Sequence, residues 1–200
     1  TDVDGRFPNH HPNPVDPGTL KLLNEQVQSA GAECGIGFDG DGDRIGVIDK
    51  TGRQVSGDLL TAFLSLDILD RHKGAEILFD VKSSSTALDI VRQAGGKPHL
   101  WRTGHSHMKK RLKELGAPLA GEMSGHIFIA DDFYGFDDAL YVACRFLSRL
   151  AHMKQRRNES LTDFLDRLPP SFTTPECHIH CPDNEKFTAV ERLSQQIGAV

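Results

Sequence analysis

Three aspartates at alternate positions, Asp39, Asp41 and Asp43, are the residues whose types and spacing point most directly to chemistry. They lie in the string Gly-Phe-Asp-Gly-Asp-Gly-Asp-Arg-Ile-Gly at residues 37–46. The glycines between them carry no side chain and allow positive φ, so the backbone can curl and bring three carboxylates to one point. Carboxylate oxygens suit Mg²⁺ or Ca²⁺, and the guanidinium of Arg44 beside such an ion could hold a phosphate. The stretch therefore predicts a cation site that faces a phosphate.

An acidic hairpin turn and an EF-hand loop are two other interpretations of the same stretch. Asp-Gly between apolar runs is a strong turn signal, and that interpretation stays open. An EF-hand needs Gly at the sixth position and Glu at the twelfth, where a loop counted from Asp39 has Arg44 and Lys50. The EF-hand is thereby excluded. Three carboxylates would leave about half of an octahedral Mg²⁺ shell open for a phosphate oxygen and water.

A second polar stretch, Gly-Glu-Met-Ser-Gly-His at residues 121–126, lies between two short apolar runs. Glu122 and Ser124 are two residues apart, so an extended backbone points both side chains the same way. A carboxylate and a hydroxyl together can accept from and donate to neighbouring hydroxyls of a sugar. The residues alone leave a plain turn open as the alternative.

Two further stretches have the composition of anion-binding segments. Thr-Gly-His-Ser at residues 103–106 precedes a basic helix, where Ser106 is expected as the N-cap and free backbone N–H groups favour an anion. Asp-Val-Lys-Ser at residues 80–83 ends a predicted strand, so Lys82 lies where α/β sheets bind ligands. The serines at 83–85 are interpreted as helix-capping residues, and the cations of the basic helix (Lys109, Lys110, Arg111 and Lys113) as a solvated face.

Alternating strands and helices predict an α/β fold with a layered, largely parallel sheet. The predicted strands lie at 34–38, 45–49, 76–81, 99–102, 119–121, 126–130 and 176–181. The predicted helices lie at 19–30, from 57 through 66, and at 84–94, 106–115, 136–151, 158–168 and 185–197. In the long helix at 136–151 the expected buried stripe consists of Phe136, Leu140, Ala143, Cys144, Leu147 and Leu150.

The chain divides into three predicted parts. Residues 1–52 have the pattern of the second half of an α/β domain, and residues 53–168 that of a complete α/β unit. Residues 169–200 have the pattern of a linker followed by one βα piece. The chain begins Thr-Asp-Val-Asp, without Met or a signal peptide, and we expect it to be a fragment of a longer protein.

Composition excludes several classes of protein. The 200 residues carry a net charge of −5 and no long basic run, which argues against a nucleic-acid surface. No apolar run approaches the roughly 18 residues that a membrane span requires. The string Cys-His-Ile-His-Cys at 177–181 suggests zinc, but strand alternation would put its cysteines and histidines on opposite faces. His10 and His11 are expected to face solvent, and scattered thiols indicate a reducing cytoplasm.

The strings at 37–46 and 121–126 closely resemble the metal-binding and sugar-binding loops of the α-D-phosphohexomutases, the phosphomannomutase/phosphoglucomutase family. The Met at 123 is similar to that of the family's bacterial bifunctional members. The resemblance implies a layered sheet with helices on both faces. It also implies that 1–52 belongs to a metal-binding domain, 53–168 to a sugar-binding domain and 169–200 to the start of a phosphate-binding domain.

The same resemblance implies roles for single residues. The three aspartates at 39, 41 and 43 would hold Mg²⁺, and Glu122 and Ser124 would grip the O3 and O4 hydroxyls of the sugar. Lys82 would bind the substrate phosphate, and His105 would contact the substrate. His126 would lie beside the reacting phosphate and assist proton transfer, with Arg44 as a further catalytic group.

The implied reaction interconverts hexose 1-phosphates and 6-phosphates, of mannose or glucose, through a phosphoserine and a bisphosphate such as glucose 1,6-bisphosphate. The family's serine loop and its Arg-x-Ser-Asn-Thr phosphate loop do not occur among the 200 residues. The chain by itself is therefore expected to lack turnover and to need further domains of its parent chain. An Mg²⁺-dependent phosphatase with an aspartyl nucleophile, and a non-catalytic Ca²⁺ or sugar-binding module, are the alternative functions.

Overall fold

The computed structural model describes residues 4–171 and 180–197. Its strands are β1 (Cys34–Phe38), β2 (Ile45–Asp49), β3 (Gln54–Val55), β4 (Glu76–Asp80), β5 (Lys97–Trp101), β6 (Leu119–Gly121) and β7 (Ile127–Ile129). Its helices are α1 (Lys21–Ala30), α2 (Gly57–Arg71), α3 (Ser85–Gln93), α4 (His105–Leu115), α5 (Ala139–Arg157), α6 (Leu161–Asp166) and α7 (Lys186–Ile197).

The aspartate loop connects two strands of a small antiparallel sheet with the order β1-β2-β3. Phe38 pairs with Ile45 at the loop end of the hairpin, and Cys34 pairs with Asp49 at the other end. The two strands have the bounds that their apolar runs predict. The hairpin interpretation and the cation interpretation of residues 39–44 are therefore compatible, because the carboxylates lie on the hairpin's own connection.

The larger sheet has four strands in the order β5-β4-β6-β7. Strand β4 pairs in parallel with β5 on one side and with β6 on the other, and β7 runs antiparallel to β6. This confirms the prediction of a largely parallel sheet. Since β4 lies between two parallel neighbours, the loops that follow β4, β5 and β6 all leave the sheet at the same edge.

Helices cover both faces of the larger sheet. Ile77 and Phe79 of β4 point into a core shared with α2, α3 and α5, whereas Leu78 points into a second core with Met108 and Leu112 of α4. Strand side chains alternate between the two faces, and each face here is apolar. A strand that is buried on both sides reads as a continuous apolar run, as Ile-Leu-Phe does at 77–79.

The hairpin sheet and the larger sheet share a hydrophobic core. Ile45 and Val47 of β2 belong to the same buried cluster as the residues of α2 and α5. Buried Asp49 adds a polar link, since its carboxylate accepts hydrogen bonds from Arg53 and from the Thr162 hydroxyl of α6. The strand that leads out of the aspartate loop is therefore fixed to the body of the molecule.

Several helix starts differ from the sequence prediction, and α1 and α6 begin at Lys21 and Leu161 instead of residues 19 and 158. Helix α4 begins at His105 with Gly104 as its N-cap residue, so Ser106 is not the cap. Helix α5 begins at Ala139 instead of residue 136, because the side chain of Asp138 accepts a hydrogen bond from the Tyr141 N–H and so caps the helix. By contrast, Ser84 caps α3 as expected, through a bond from the Ala87 N–H.

The buried face of α5 is also rotated from the predicted one. Its buried residues are Ala139, Val142, Ala143, Phe146, Leu150 and Met153. Of the predicted stripe, Phe136, Leu140 and Leu147 are exposed, and so is Cys144. Two apolar stripes overlap on this helix, and the one that contains Phe146 packs on the sheet, where Phe146 lies against Phe63.

The remaining expectations have mixed outcomes. His10 and His11 are exposed, as predicted. The predicted strand at 176–181 and the Cys-His-Ile-His-Cys string lie largely outside the described residues. Within the described parts of the chain, none of the helices combines the length and the apolar character needed to cross a bilayer.

A buried carboxylate at the opposite edge of the larger sheet predicts an acid-dependent stability. Asp131 follows β7 and contacts the guanidinium groups of Arg71 and Arg145. Burial raises the pKa of Asp131, but the two arginines outweigh it and hold the pKa below its usual value. The contribution of Asp131 to stability is therefore present above the pKa of the unfolded state and is lost as pH falls through the lower folded-state pKa.

We expect Asp131→Asn to lower the free energy of unfolding at neutral pH, because it removes a buried charge between two arginines. The difference from wild type should begin to shrink as pH falls below about 4, the ordinary aspartate pKa that applies in the unfolded state, and should disappear only below the lower folded-state pKa of Asp131. Urea denaturation across a pH series measures both effects. Asp89→Asn, at an exposed helix position, is the control. Parallel stability curves for wild type and Asp131→Asn down to acid pH would contradict the prediction.

Candidate active site

The structure brings the three predicted metal ligands together. Carboxylate oxygens of Asp39, Asp41 and Asp43 lie within 4.8 Å of one another. The loop curls around Asp39, whose Oδ1 accepts the backbone N–H groups of Gly42, Asp43 and Arg44 at 3.1 Å each. Gly42 has φ of 77°, a conformation that favours glycine. One side chain thus holds the loop in shape and turns the other two carboxylates towards it.

The pKa values of Asp39 and Asp43 are shifted in opposite directions. Burial raises the pKa of Asp39, but hydrogen bonds from the side chain and backbone of Arg44 outweigh it and the pKa is lowered. Burial, together with the hydrogen bond to Asp39, raises the pKa of Asp43. Three carboxylates this close repel one another in the ionised form, and a divalent cation relieves that repulsion. The all-oxygen donor set fits Mg²⁺ or Ca²⁺.

Arg44 lies beside the loop, but its guanidinium is engaged with protein groups. Its Nε donates to Asp39 Oδ2 at 2.8 Å, and one terminal nitrogen donates to Asn13 Oδ1 at 3.3 Å. The side chain therefore supports the shape of the aspartate loop and ties it to the proline-rich segment that contains Asn13. Its expected role at a phosphate stays a prediction.

Glu122 and Ser124 face each other in the turn that joins β6 to β7. Glu122 is buried, its Oε1 accepts the Gly104 N–H at 2.9 Å and its Oε2 accepts the Ser124 hydroxyl at 2.9 Å. The carboxylate thus links this turn to the loop after β5. Each carboxylate oxygen can accept further hydrogen bonds, so the pair keeps acceptor capacity for hydroxyl groups.

Backbone hydrogen bonds join the aspartate loop to this turn. The Ile45 N–H donates to the Gly125 carbonyl at 3.1 Å, and Arg44 forms an isolated antiparallel bridge with His126. Gly125 has φ of 93°, and a Cβ there would lie 2.6 Å from the Ile45 carbonyl oxygen. Only glycine fits this approach without displacing backbone. The aspartate loop and the Glu122–Ser124 pair are consequently held in a fixed relation.

A histidine pair lies between the aspartate loop and α4. His126 Nδ1 is 3.1 Å from Asp137 Oδ2 and 3.6 Å from Asp43 Oδ2. The His105 ring stacks near the His126 ring, with centroids 5.6 Å apart. Lys109 donates to Asp137 Oδ1 at 2.8 Å. Burial raises the pKa of Asp137, but the Lys109 hydrogen bond and the nearby His126 outweigh it and lower the pKa, so the carboxylate stays ionised beside His126.

Lys82 is exposed on the loop after β4, at the same sheet edge as the other predicted site residues. Its ammonium acts electrostatically on Asp80, a buried carboxylate at the end of the strand. The sequence prediction placed Lys82 at a ligand-binding edge, and its position agrees. Its role towards a phosphate stays a prediction.

Sequence reasoning missed three charged residues of this site. Asp137 was placed inside the predicted helix at 136–151, and Lys109 was assigned to a solvated face. Asp80 was treated only as the end of a strand. The Phe-Asp-Asp string at 136–138 carried a signal, since Asp at a helix start is a common cap and one of the two aspartates then precedes the helix. The Lys109 contact depends on how α4 crosses the sheet, which a single sequence does not encode locally.

Comparisons with known proteins agree with this geometry. Residues 56–172 match the family model described as phosphoglucomutase/phosphomannomutase, alpha/beta/alpha domain III. Residues 1–52 match the model described as alpha/beta/alpha domain II of the same family. A phosphomannomutase/phosphoglucomutase from Pseudomonas putida is 44% identical over 194 residues, which are 97% of this chain and 41% of the relative.

Two further similarities cover the same region. A phosphoglucomutase from Neisseria gonorrhoeae is 41% identical across 96% of this chain and 41% of its own length. The crystal structure of a phosphoglucomutase/phosphomannomutase family protein from Burkholderia thailandensis superposes with a TM-score of 0.80 and 44% identity, over 87% of this chain and 37% of that one. The chain spans about two fifths of the length of the curated relatives that it matches. From its two matched domains, this chain belongs to the phosphoglucomutase/phosphomannomutase family.

Proposed function

We propose that this chain supplies the cation-binding and sugar-binding parts of an enzyme that interconverts hexose 1-phosphates and hexose 6-phosphates. The observation that carries the proposal is the backbone connection between the aspartate loop and the Glu122–Ser124 turn, through Ile45 and Gly125. A phosphoryl group beside the cation and a sugar on the turn would then stay at a constant distance and orientation relative to each other. The family match and the relatives' names support this reaction.

Mg²⁺ is the proposed cation, with Asp39, Asp41 and Asp43 as its protein ligands. The oxygen-only donor set and the proximity of the three carboxylates support this choice. When bound, Mg²⁺ would neutralise the charge that develops during phosphoryl transfer. Arg44 fixes the Asp39 carboxylate at the loop and is proposed to act at the phosphate with the N–H groups that remain.

Glu122 and Ser124 are the proposed sugar contacts, at two hydroxyls in the middle of the hexose ring. A carboxylate that accepts and a hydroxyl that donates or accepts can bind a vicinal pair. Because these hydroxyls lie midway between the two ends of the sugar, the ring could bind in either direction. This grip does not involve the C2 substituent, so glucose and mannose phosphates could share the site.

The histidine pair and Lys82 complete the proposed site. The Asp137 carboxylate beside His126 Nδ1 favours a proton on that nitrogen, which leaves Nε2 to exchange a proton with the substrate. His105, stacked near His126, is proposed to contact the substrate. Lys82 is proposed to hold the phosphate at the end of the sugar that is not reacting, as a point charge at the sheet edge.

The rest of the reaction is proposed to use parts of a longer parent chain. A phosphoserine would donate the phosphoryl group, and a bisphosphate such as glucose 1,6-bisphosphate would be the intermediate. In this arrangement residues 1–52 belong to the metal-binding domain, 53–168 form the sugar-binding domain and 169–200 begin the phosphate-binding domain. Within the described residues the thiols of Cys34, Cys144 and Cys181 form no disulfide, which supports the proposal of a reducing, cytoplasmic location.

Loss of one loop carboxylate should weaken cation binding without unfolding the loop. Asp41 is exposed, and the backbone N–H groups of the loop bind Asp39 instead. Since even an indirect partner of a metal contributes about tenfold in affinity, we expect Asp41→Asn to weaken Mn²⁺ or Mg²⁺ binding by at least about tenfold. Electron paramagnetic resonance of free Mn²⁺ measures the affinity, with Mg²⁺ as competitor. Asp89→Asn should bind like wild type, and equal affinities for Asp41→Asn and Asp89→Asn would contradict the assignment.

Hexose phosphate binding is the direct test of the proposed function. In a backbone NMR titration, glucose 1-phosphate and mannose 1-phosphate should shift the amides of residues 122–126, Lys82 and His105, and plain glucose should not. Ser124→Ala should weaken binding by about two- to tenfold, the value of one neutral hydrogen bond. Ser29→Ala, at an exposed position of helix α1, is the matched control. Equal shifts with plain glucose would favour a sugar-binding module instead.

Turnover by the 200-residue chain distinguishes the mutase proposal from a phosphatase. We expect neither glucose 6-phosphate nor inorganic phosphate to form from glucose 1-phosphate and Mg²⁺, because no serine loop of the family occurs in this sequence. A coupled dehydrogenase assay detects the first product and a molybdate assay the second. Release of phosphate that Asp39→Asn abolishes would support an aspartyl-nucleophile phosphatase.

A further inference from the structure

Asp80 connects three loops at the site through one buried carboxylate. It is the last residue of β4 and is 0% exposed. Its Oδ1 accepts the Ser83 hydroxyl at 2.9 Å. Its Oδ2 accepts the Thr103 hydroxyl at 3.2 Å and lies 3.4 Å from the Met123 backbone nitrogen, which donates to it.

Strand order explains why one residue reaches all three loops. Strand β4 lies between the parallel strands β5 and β6, so its end is flanked by the loops that follow both neighbours. Each donor to Asp80 belongs to a loop that carries a proposed substrate contact. Ser83 follows Lys82, Thr103 precedes His105, and Met123 lies between Glu122 and Ser124.

Asp80 lacks the arginine partner that two other buried carboxylates, Asp49 and Asp131, have. In the described residues its hydrogen-bond donors are two hydroxyls and one N–H, and buried Asp58 and Glu122 likewise bond only to hydroxyl and N–H groups. Burial raises the pKa of Asp80, and these hydrogen bonds and the charge of Lys82 offset only part of that rise. A carboxylate in this setting costs stability, which indicates a task other than stabilising the core.

Two other carboxylates also connect these loops, but they make different connections from those of Asp80. Glu122 accepts the Gly104 N–H and so joins the second loop to the third. Asp58 accepts the Ser84 N–H and hydroxyl and so joins the first loop to the start of α2. The hydrogen bonds of Asp80 join the first loop to the other two.

We propose that Asp80 is a positioning residue that sets Lys82, His105 and the Glu122–Ser124 pair in the arrangement that one hexose phosphate requires. The ligand in this statement rests on the proposed function, while the connection between the loops does not. Asp80 touches no substrate in this scheme. It acts by holding the loop that carries Lys82 and the turn that carries Glu122 and Ser124 in one arrangement, so that both can contact the same ligand molecule.

Two substitutions separate geometry from charge. Asp80→Ala removes every acceptor and leaves the Met123 N–H without its partner. Asp80→Asn can keep the connections, because its carbonyl oxygen can accept from Thr103 and Met123 while its amide donates to the Ser83 oxygen. Asp131→Ala, a buried carboxylate at the opposite edge of the sheet, is the control for a general loss of stability.

Amide hydrogen exchange of the ligand-free chain tests the connection itself. Asp80→Ala should speed exchange at the Met123 amide by about tenfold, the value of a hydrogen bond to a charged group, while the Gly104 amide keeps its bond to Glu122. Asp80→Asn should stay within about threefold of wild type at Met123. Asp131→Ala should change the Met123 amide no more than amides elsewhere at the site edge. Wild-type exchange at the Met123 amide in Asp80→Ala would overturn the positioning role.

Binding tests the consequence for the ligand. Asp80→Ala should weaken mannose 1-phosphate binding by about tenfold, because a displaced loop can no longer contact the ligand at the same time as the other loops do. Inorganic phosphate, followed at Lys82, should bind wild type and Asp80→Ala within about twofold of each other, and Asp80→Asn should restore mannose 1-phosphate binding. Equal mannose 1-phosphate affinities for wild type and Asp80→Ala, or equal losses in Asp80→Ala and Asp131→Ala, would overturn the proposal. Absence of binding to wild type would overturn the proposed function, whereas the exchange result would still decide the connection of the loops.

Discussion

The site depends on the close approach of two backbone segments, residues 44–45 and residues 125–126. The Ile45 N–H bonds to the Gly125 carbonyl, and this contact requires a glycine in a left-handed conformation. Ile45 is itself buried at the start of β2, so the hydrophobic core fixes one side of the contact. The β6–β7 turn fixes the other side. The proposed cation ligands and the proposed sugar contacts, which come from separate parts of the chain, are thereby brought close together.

This region is rich in carboxylates, and their ionised forms are stabilised to different extents. Asp39 is held by backbone N–H groups and Arg44, and Asp137 by Lys109. Both have lowered pKa values and remain ionised. Asp43 and Asp80 have raised pKa values because burial is less well compensated there. Of the well-compensated carboxylates, Asp39 shapes the loop and Asp137 lies beside His126, while the other two lie where the proposed cation or the charge of Lys82 can add positive charge.

Much of this was accessible from the sequence, because the informative signals are local. The strands on both sides of the aspartate loop, the Glu122–Ser124 turn and the parallel order of the larger sheet follow from short apolar runs and glycine positions. The face that α5 buries was not accessible, since two apolar stripes overlap and the choice between them is made by packing against Phe63. Asp80 and Lys109 were missed for a related reason. Apart from Ser83, which lies three residues from Asp80 in the chain, their hydrogen-bond partners are more than 20 residues away in sequence, and only the crossing of strands and helices brings them together.

Asp43 lies between the aspartate cluster and the histidine pair. Its oxygens belong to the aspartate cluster, and Oδ2 is also 3.6 Å from His126 Nδ1. In the proposed site a cation would draw the Asp43 carboxylate into its own shell and so withdraw negative charge from beside His126. Asp137 would then be the carboxylate that still orients the ring, with Lys109 holding it in place. The proton on His126 Nδ1 would then depend on Asp137. In the proposed site, cation binding and proton transfer would thus be linked through the side chain of Asp43.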